Sequence, residues 1–416
     1  MGRLVTTLLV LCLIYVTTCS LSTRTAAFRA HDLRRGLEQA MRGRLLADAT
    51  PAGGSAVPIH WSRHLYNVAN FTIGTPPQPA SAIIDVAGPA PCSFPNASST
   101  FRPEPCGTDA CKSIPTSNCS SNMCTYEGTI NSKLGGHTLG IVATDTFAIG
   151  TATASLGFGC VVASGIDTMG GPSGLIGLGR APSSLVSQMN ITKFSYCLTP
   201  HDSGKNSRLL LGSSAKLAGG GNSTTTPFVK TSPGDDMSQY YPIQLDGIKA
   251  GDAAIALPPS GNTVLVQTLA PMSFLVDSAY QALKKEVTKA VGAAPTATPL
   301  QPFDLCFPKA GLSNASAPDL VFTFQQGAAA LTVPPPKYLI DVGEEKGTVC
   351  MAILSTSWLN TTALDENLNI LGSLQQENTH FLLDLEKKTL SFEPADCAHL
   401  SLIDGFLMEA VLALAA

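Results

Sequence analysis

Charge is scarce in this 416-residue chain. Only 13% of its residues are charged, the formal net charge is -4, and long charged helical repeats are missing. Nothing in that balance selects nucleic acid as a partner. Closely spaced Cys and His are also lacking: no CxxC, HExxH or similar run occurs, so the usual zinc signatures are excluded. There is no GxSxG serine elbow, no P-loop and no dinucleotide fingerprint. The seven histidines, His31, His60, His64, His137, His201, His380 and His399, are scattered, and none stands where it would serve a nucleophile. No cofactor or metal is expected.

Turn-forming residues are plentiful, with 37 Gly and 29 Pro. Together with the many Ser, Thr and Val, they describe a β-rich chain of short strands. The length suits two lobes, each with its own core. The N-terminus reads as a secretory signal: Arg3, an apolar run from Leu4 to Val16, then small residues Thr17, Thr18, Cys19 and Ser20. This run is too short and wrongly flanked for a stable membrane span. Residues 21–56 carry Arg24, Arg29, Arg34, Arg35, Arg42 and Arg44 at roughly helical spacing and read as a propeptide. The apolar tail, 398–416, is interrupted by Glu409 and reads as an ordinary tail or docked helix, against a lipid-anchor signal.

Twelve cysteines fit the same compartment. Cys12 and Cys19 leave with the signal, and an even set remains for disulfides. Seven glycosylation acceptors are present, at Asn70, Asn96, Asn118, Asn190, Asn222, Asn314 and Asn360. Asn70 lies in a strand-like stretch and Asn118 abuts a cysteine, which leaves Asn96, Asn190, Asn222, Asn314 and Asn360 as the expected sites. The destination is extracellular or apoplastic, with the vacuole as an alternative.

Strands are predicted at Tyr66 to Ile73, Ala82 to Ile84, Thr144 to Ile149, Leu320 to Phe324, Thr348 to Ile353 and Phe381 to Leu385. A short helix is expected over Ser183 to Met189. Residues 198–240, rich in Gly, Ser and Thr, suggest the crossing between lobes. Asp277-Ser278 opens an amphipathic helix and reads as its cap. A weak duplication is visible in two apolar-apolar-Gly runs, Leu175-Ile176-Gly177 and Ile370-Leu371-Gly372. The first follows Asp85 by 92 residues (177 minus 85), and an equivalent turn should precede the second.

Ile73-Gly74-Thr75-Pro76-Pro77-Gln78-Pro79 and Ile83-Ile84-Asp85 resemble the opening of plant nepenthesin-type aspartic proteases. The likeness continues through Ser98-Ser99-Thr100-Phe101, Asp145-Thr146-Phe147, Phe158-Gly159-Cys160, Gly174 to Arg180 and Phe194 to Leu198. It ends with Ile370-Leu371-Gly372, Gln375-Gln376-Glu377-Asn378 and Leu390-Ser391-Phe392. The resemblance implies a mainly β, bilobal pepsin-like aspartic protease fold with a cleft between two β-rich lobes, here 57–200 and 201–397. It implies a monomer that takes a peptide or protein ligand in that cleft. It also implies nested bridges Cys106–Cys124 and Cys111–Cys119, with Cys92–Cys160, Cys306–Cys350 and Cys197–Cys397.

The family reaction, hydrolysis of internal peptide bonds at acid pH, needs two facing carboxylates that share one proton. Asp85 occupies the first position, but its turn reads Asp85-Val86-Ala87, without the usual hydroxyl and glycine. Two registers compete for the second position. Phe274-Leu275-Val276 leads like a strand into Asp277-Ser278-Ala279, and Val264-Leu265-Val266 leads into Gln267-Thr268-Leu269. In the family an Ala-Tyr-x-x-Leu helix start follows the turn by about ten residues, which favours Gln267, because Ala279-Tyr280-Gln281-Ala282-Leu283 directly follows Asp277. No flap Tyr falls near Ile130 to Ser132, and Tyr126 reads as the strand residue before it. A peptidase lacking its second carboxylate should be inactive or impaired. The alternative is a non-catalytic binder or inhibitor on the same scaffold, as in plant xylanase inhibitors.

Overall fold

Apolar and polar residues alternate along much of the chain, and the alternation folds it into short antiparallel strands. Ser207–Leu211 and Leu320–Phe324 bury every second residue, as a sheet with one face in the core requires. Where burial becomes continuous the strands are central: Thr263–Val266 and Leu368–Leu371 run parallel and are almost wholly buried. The computed structural model describes residues 54–400, apart from 87–97, 113–116, 131–135, 165–171, 220–221, 233–235, 260–261, 298, 311, 313–316, 325–326, 343–346 and 360–367. The expected signal, nearly all of the expected propeptide, most of the tail, and Ala87, Cys92, Asn96, Asn314 and Asn360 lie outside the described residues.

Three sheets organise these strands. The largest is common to both halves of the chain. Its spine runs Thr224–Pro227, Thr389–Pro394, Thr379–Asp384, Lys193–Cys197, Ser207–Leu211, Ser55–Trp61 and Asn67–Ile73. The C-terminal hairpin is thus joined to the first half, with Tyr196 opposite Phe381 and their rings stacked 5.4 Å apart. A second sheet carries Pro242–Ala250, Thr263–Val266, Ser273–Leu275 and Leu368–Leu371, and a third surrounds Cys306–Cys350. One apolar cluster extends from Val57 and Phe71 through Leu245 and Leu283 to Phe392, so the core runs through both halves.

Several family-like segments meet one another here. Asp145, 2% exposed, accepts from Ser98 Oγ (3.0 Å), Thr100 Oγ1 (2.6 Å) and Thr146 N (2.8 Å). Ser98 Oγ in turn receives the N–H of Thr75 in the Gly74 turn. These motifs are structural: they satisfy a buried carboxylate.

Four expectations differ from the structure. The first strand starts at Ser55, inside the expected propeptide, because Ser55 and Ala56 pair with Leu211 and Leu210. Residues 198–240 are more than a crossing, since Ser207–Leu211 and Thr224–Pro227, both beyond residue 201, enter the shared sheet. Asp277 is the first helical residue of Asp277–Val291, and the cap position is Val276, which has no capping side chain. The cysteine-rich insert is crossed, with Cys106–Cys119 and Cys111–Cys124. Burial explains that pairing. The short helix Asp109–Lys112 carries Cys111 inward against Cys124 and Val142, while Cys106 stays at the rim, where it meets exposed Cys119. The structure also pairs Cys197 with Cys397 and Cys306 with Cys350. Cys160 is disulfide-bonded too.

His380 sits opposite Cys197 in the shared sheet and is 4% exposed. Neither ring nitrogen has a hydrogen-bond partner. Glu393 Oε1 is 3.9 Å away, too far for a hydrogen bond, and accepts instead from Ala218 N at 2.6 Å. Burial lowers the His380 pKa more than the Glu393 charge raises it. The folded state therefore holds a neutral imidazole. Its contribution to stability is complete above the unfolded value of about 6.5 and is lost as pH falls below it. His380→Leu should gain on the wild type as pH falls from 7.5 to 5, read as the difference between their melting midpoints at each pH.

Candidate functional site

The two halves build the same local structure twice. Gln78–Asp85 runs parallel to Gly174–Gly177, with Ile84 beside Ile176 and Asp85 beside Gly177, and Leu178 N donates to Asp85 O at 2.8 Å. Thr263–Val266 runs parallel to Leu368–Leu371, with Val266 beside Leu371, and Gln267 N donates to Leu371 O at 3.1 Å. In each case an apolar strand ends in a polar side chain beside an apolar-apolar-Gly run. The glycine is required at the second: a Cβ on Gly372 would lie 2.3 Å from the Met272 carbonyl.

Thr268 joins the two turns. Its Oγ1 donates to Ile84 O at 2.6 Å and accepts from Val86 N at 3.1 Å, so it holds the backbone on both sides of Asp85. All four participants are buried: Asp85 is 1% exposed, Gln267 5%, Thr268 1% and Val86 0%. The position equivalent to Thr268 in the first half is Val86, which has no hydroxyl to return the bridge. Among the described residues the hydroxyl bridge therefore runs from the second turn to the first, and the Val86 side chain joins the apolar cluster.

Gln376 supports this arrangement. Its Nε2 donates to Gln267 O (2.8 Å) and Leu371 O (2.9 Å), and its Oε1 accepts from Tyr196 O–H at 2.6 Å. Burial of that phenol pushes its pKa far above the ordinary value, so it remains a donor. Gln375 does similar work next door, accepting from Ser273 Oγ at 2.6 Å and donating to Lys337 O at 2.7 Å. The sequence motif Gln375 to Asn378 marked these residues without indicating their role. Thr268 was not singled out at all, although its place after Gln267 matches the hydroxyl of an Asp-Thr-Gly turn.

Asp277 stands elsewhere. Its exposed carboxylate accepts from Ser355 Oγ (2.7 Å), Gln281 Nε2 (3.2 Å) and Ser357 Oγ (3.4 Å). These bonds, Ser355 first, hold its pKa below the usual carboxylate value. All three partners come from the second half, and they tie the start of the helix to the strand Ile353–Ser355. Tyr126 lies within Met123–Ile130. Its ring covers Gly140 and Gly159, where an added Cβ would approach it to 2.4 and 3.0 Å, and burial pushes its pKa up to about 12. Residues 131–135, which follow this strand in the sequence, are outside the described residues. Asn190 and Asn222 are exposed. No helix among the described residues is long and apolar enough to cross a membrane.

Two β-rich halves on a shared sheet, each offering a strand-end turn to the other, define the pepsin-like class. Residues 67–213 match the family model "Xylanase inhibitor N-terminal", and residues 240–394 match "Xylanase inhibitor C-terminal". The chain is 30% identical over 355 residues to aspartic proteinase nepenthesin-1 of Nepenthes gracilis, covering 79% of this chain and 77% of that protein. Conglutin gamma, a basic 7S globulin from lupine seeds, superposes with a TM-score of 0.66 at 19% identity, over 82% of this chain and 95% of its own. The aspartic proteinase from Irpex lacteus superposes with a TM-score of 0.61 at 18% identity, over 83% and 98%. The chain belongs to the plant pepsin-like aspartic protease family, in its xylanase-inhibitor-like branch.

Thr268→Val keeps the shape but leaves Ile84 O and Val86 N without their shared partner. A loss of roughly 1–3 kcal/mol is expected, the cost of unpaired buried groups. It would be read as a shift of the denaturant midpoint at constant slope.

Proposed function

We propose that this protein is a secreted, single-chain member of the family whose cleft binds polypeptide and hydrolyses it poorly or not at all. The observation that carries the reading is the Thr268 bridge. It grips the backbone around Asp85 from the residue next to Gln267, which supports assigning Asp85 to the first dyad position and Gln267 to the second. A carboxamide donates and accepts hydrogen bonds but neither holds nor releases a proton at these pH values. Asp85 alone cannot act as acid and base in turn. Each general acid or base step is worth roughly 10²- to 10⁴-fold. Val86 adds to the impairment, because the first turn lacks the hydroxyl that would return the bridge.

Binding is the function left to such a cleft. The Gln267 side chain makes no hydrogen bond among the described residues, so its C=O and N–H₂ are free to pair with the N–H and C=O of an extended ligand backbone. Both matching family models are named for xylanase inhibitors, and a seed globulin shares the fold, so the scaffold occurs in proteins named for roles other than proteolysis. Secretion is supported by the apolar N-terminus, by four disulfides among the described residues and by exposed acceptors at Asn190 and Asn222. The signal (1–20) and propeptide (from 21, ending before Ser55) belong to the same proposal.

The test is cleavage of denatured protein between about pH 2 and 6, where carboxyls titrate, with and without pepstatin. No pepstatin-sensitive cleavage is expected. Cleavage abolished by Asp85→Ala would overturn the reading, and cleavage abolished by Asp277→Ala would move the second position to Asp277. Expression of the whole chain in plant cells should yield glycosylated protein in the medium. Retention of unglycosylated protein in the cytosol would overturn the secretory assignment.

A further inference from the structure

Residues 375 to 378 form a junction in which successive side chains and amides reach different parts of the molecule. Gln375 holds Lys337 O, Gln376 holds the Gln267 turn, and Asn378 N donates to Leu198 O at 2.8 Å. Glu377, between them, is 4% exposed, yet it is a carboxylate. Its Oε1 accepts two hydrogen bonds from one residue, His201: the backbone N–H at 2.9 Å and Nδ1 at 2.8 Å. His201 follows the strand Lys193–Cys197 on the crossing that leads to Ser207–Leu211. That crossing is fixed on its other side by Trp61, whose Nε1 donates to Thr199 O at 2.7 Å and whose ring meets the imidazole edge-on at 6.2 Å. None of this is needed to explain the fold of either half alone.

We propose that His201 and Glu377 form an acid-engaged clamp, in which protonation of His201 fastens the first-half crossing to the junction that positions the Gln267 turn. Glu377 already accepts as a carboxylate; protonation makes the donor cationic as well, so the hydrogen bond becomes an ion pair and gains the attraction between the two charges. Burial by itself pushes the imidazole down. The hydrogen bond to Glu377, the Glu377 charge and the Asp202 charge outweigh it and leave His201 above its ordinary value. A raised folded pKa gives a stabilisation that is fully present below the unfolded value of about 6.5 and is lost as pH rises through the folded one. The clamp is therefore closed in an acidic compartment and slackens towards alkaline pH.

The other charged group facing Glu377 is Lys337, from the turn Pro335–Lys337. Its ammonium donates to Thr379 Oγ1 at 3.3 Å, and burial pushes it down to about 8 against the pull of Glu377. It stays charged over the acid side of the His201 transition and does not reverse the sign. Trp61 contributes no charge. His201 and Glu377 are positioning residues: neither is assigned contact with a ligand. The effect on the cleft rests on the reading of Gln267, whereas the titration of His201 does not.

The test uses the full chain with ring-labelled histidine, followed by NMR from pH 5 to 8.5, with His201→Gln identifying the signal. His201 is expected to titrate above 6.5, and Glu377→Gln should lower it. His201→Gln retains a neutral donor to Glu377, so folding is preserved. Its melting midpoint should fall short of the wild type by more at pH 5.5 than at pH 8. Amide exchange at Gln267, whose N–H bonds Leu371 O, should be several-fold faster in the variant at pH 5.5 and equal at pH 8. A His201 titration at or below the ordinary value, or one unmoved by Glu377→Gln, would overturn the clamp. A melting difference of the same size at both pH values would do the same. Equal exchange at pH 5.5 would overturn its positioning role while leaving the proteolysis assay unaffected.

Discussion

The hydroxyl of Thr268 commits the backbone on either side of Asp85 to a partner 184 and 182 residues away. Ile84 O and Val86 N are both buried, and without the hydroxyl each would lack its partner. The bridge has little tolerance for error. A one-residue slip of Thr263–Val266 against Leu368–Leu371 would present Gln267 or Leu269 to Ile84 and turn the apolar side chains to the opposite faces. Gly372, Gln376 and the shared sheet therefore serve one end: they hold two strand-end turns, from distant parts of the sequence, in a fixed relation.

How legible this was depended on the range of the interaction. Alternation marked the strand Leu320–Phe324 to the residue, because strand period is a local property; the apolar run Phe381 to Leu385 located the strand Thr379–Asp384 but missed its first two residues. The helix at Asp277 was equally plain, and its first residue moved by one because helix ends are set by backbone geometry that composition does not specify. The insert cysteines were legible as a set, but their pairing depended on which way a four-residue helix turned Cys111, and no local pattern carries that information. Thr268 was hidden for the same reason. A Thr after an apolar strand is ordinary, and only the register across the two halves shows that it lies between Ile84 and Val86.

Two histidines, buried His380 in the shared sheet and half-buried His201 after the strand Lys193–Cys197, respond to acid in opposite directions. His380 lies in a place where a charge is poorly compensated, because Glu393 is spent on Ala218 N. His201 lies where Glu377 accepts from it directly. The residue type is the same, with His201 half-buried and His380 buried. The difference is one hydrogen bond, 2.8 Å in one case and absent at 3.9 Å in the other. Net acid stability in this region is therefore a balance between two local terms, and the whole-protein pH profile does not reveal either one alone.

The changes at the two turns are complementary. The first half keeps the carboxylate, Asp85, and has Val86 in place of a hydroxyl; the second keeps the hydroxyl, Thr268, and has Gln267 in place of a carboxylate. On the proposed reading this follows from what each group does for the fold. Two facing carboxylates repel, so a neutral amide at Gln267 removes an electrostatic penalty that only catalysis justifies. Thr268 satisfies two buried backbone groups, and losing it would cost stability whatever the cleft binds. Val86 gives up a reciprocal bond but adds a fully buried side chain to the core cluster, which offsets the loss. A chain under selection for its shape, with hydrolysis no longer required, would keep Asp85 only if a single buried acceptor at that point still serves the ligand. On the proposed reading, Asp85 supplies a carboxylate, and Gln267, whose side chain makes no hydrogen bond among the described residues, supplies a group that both donates and accepts towards a peptide backbone.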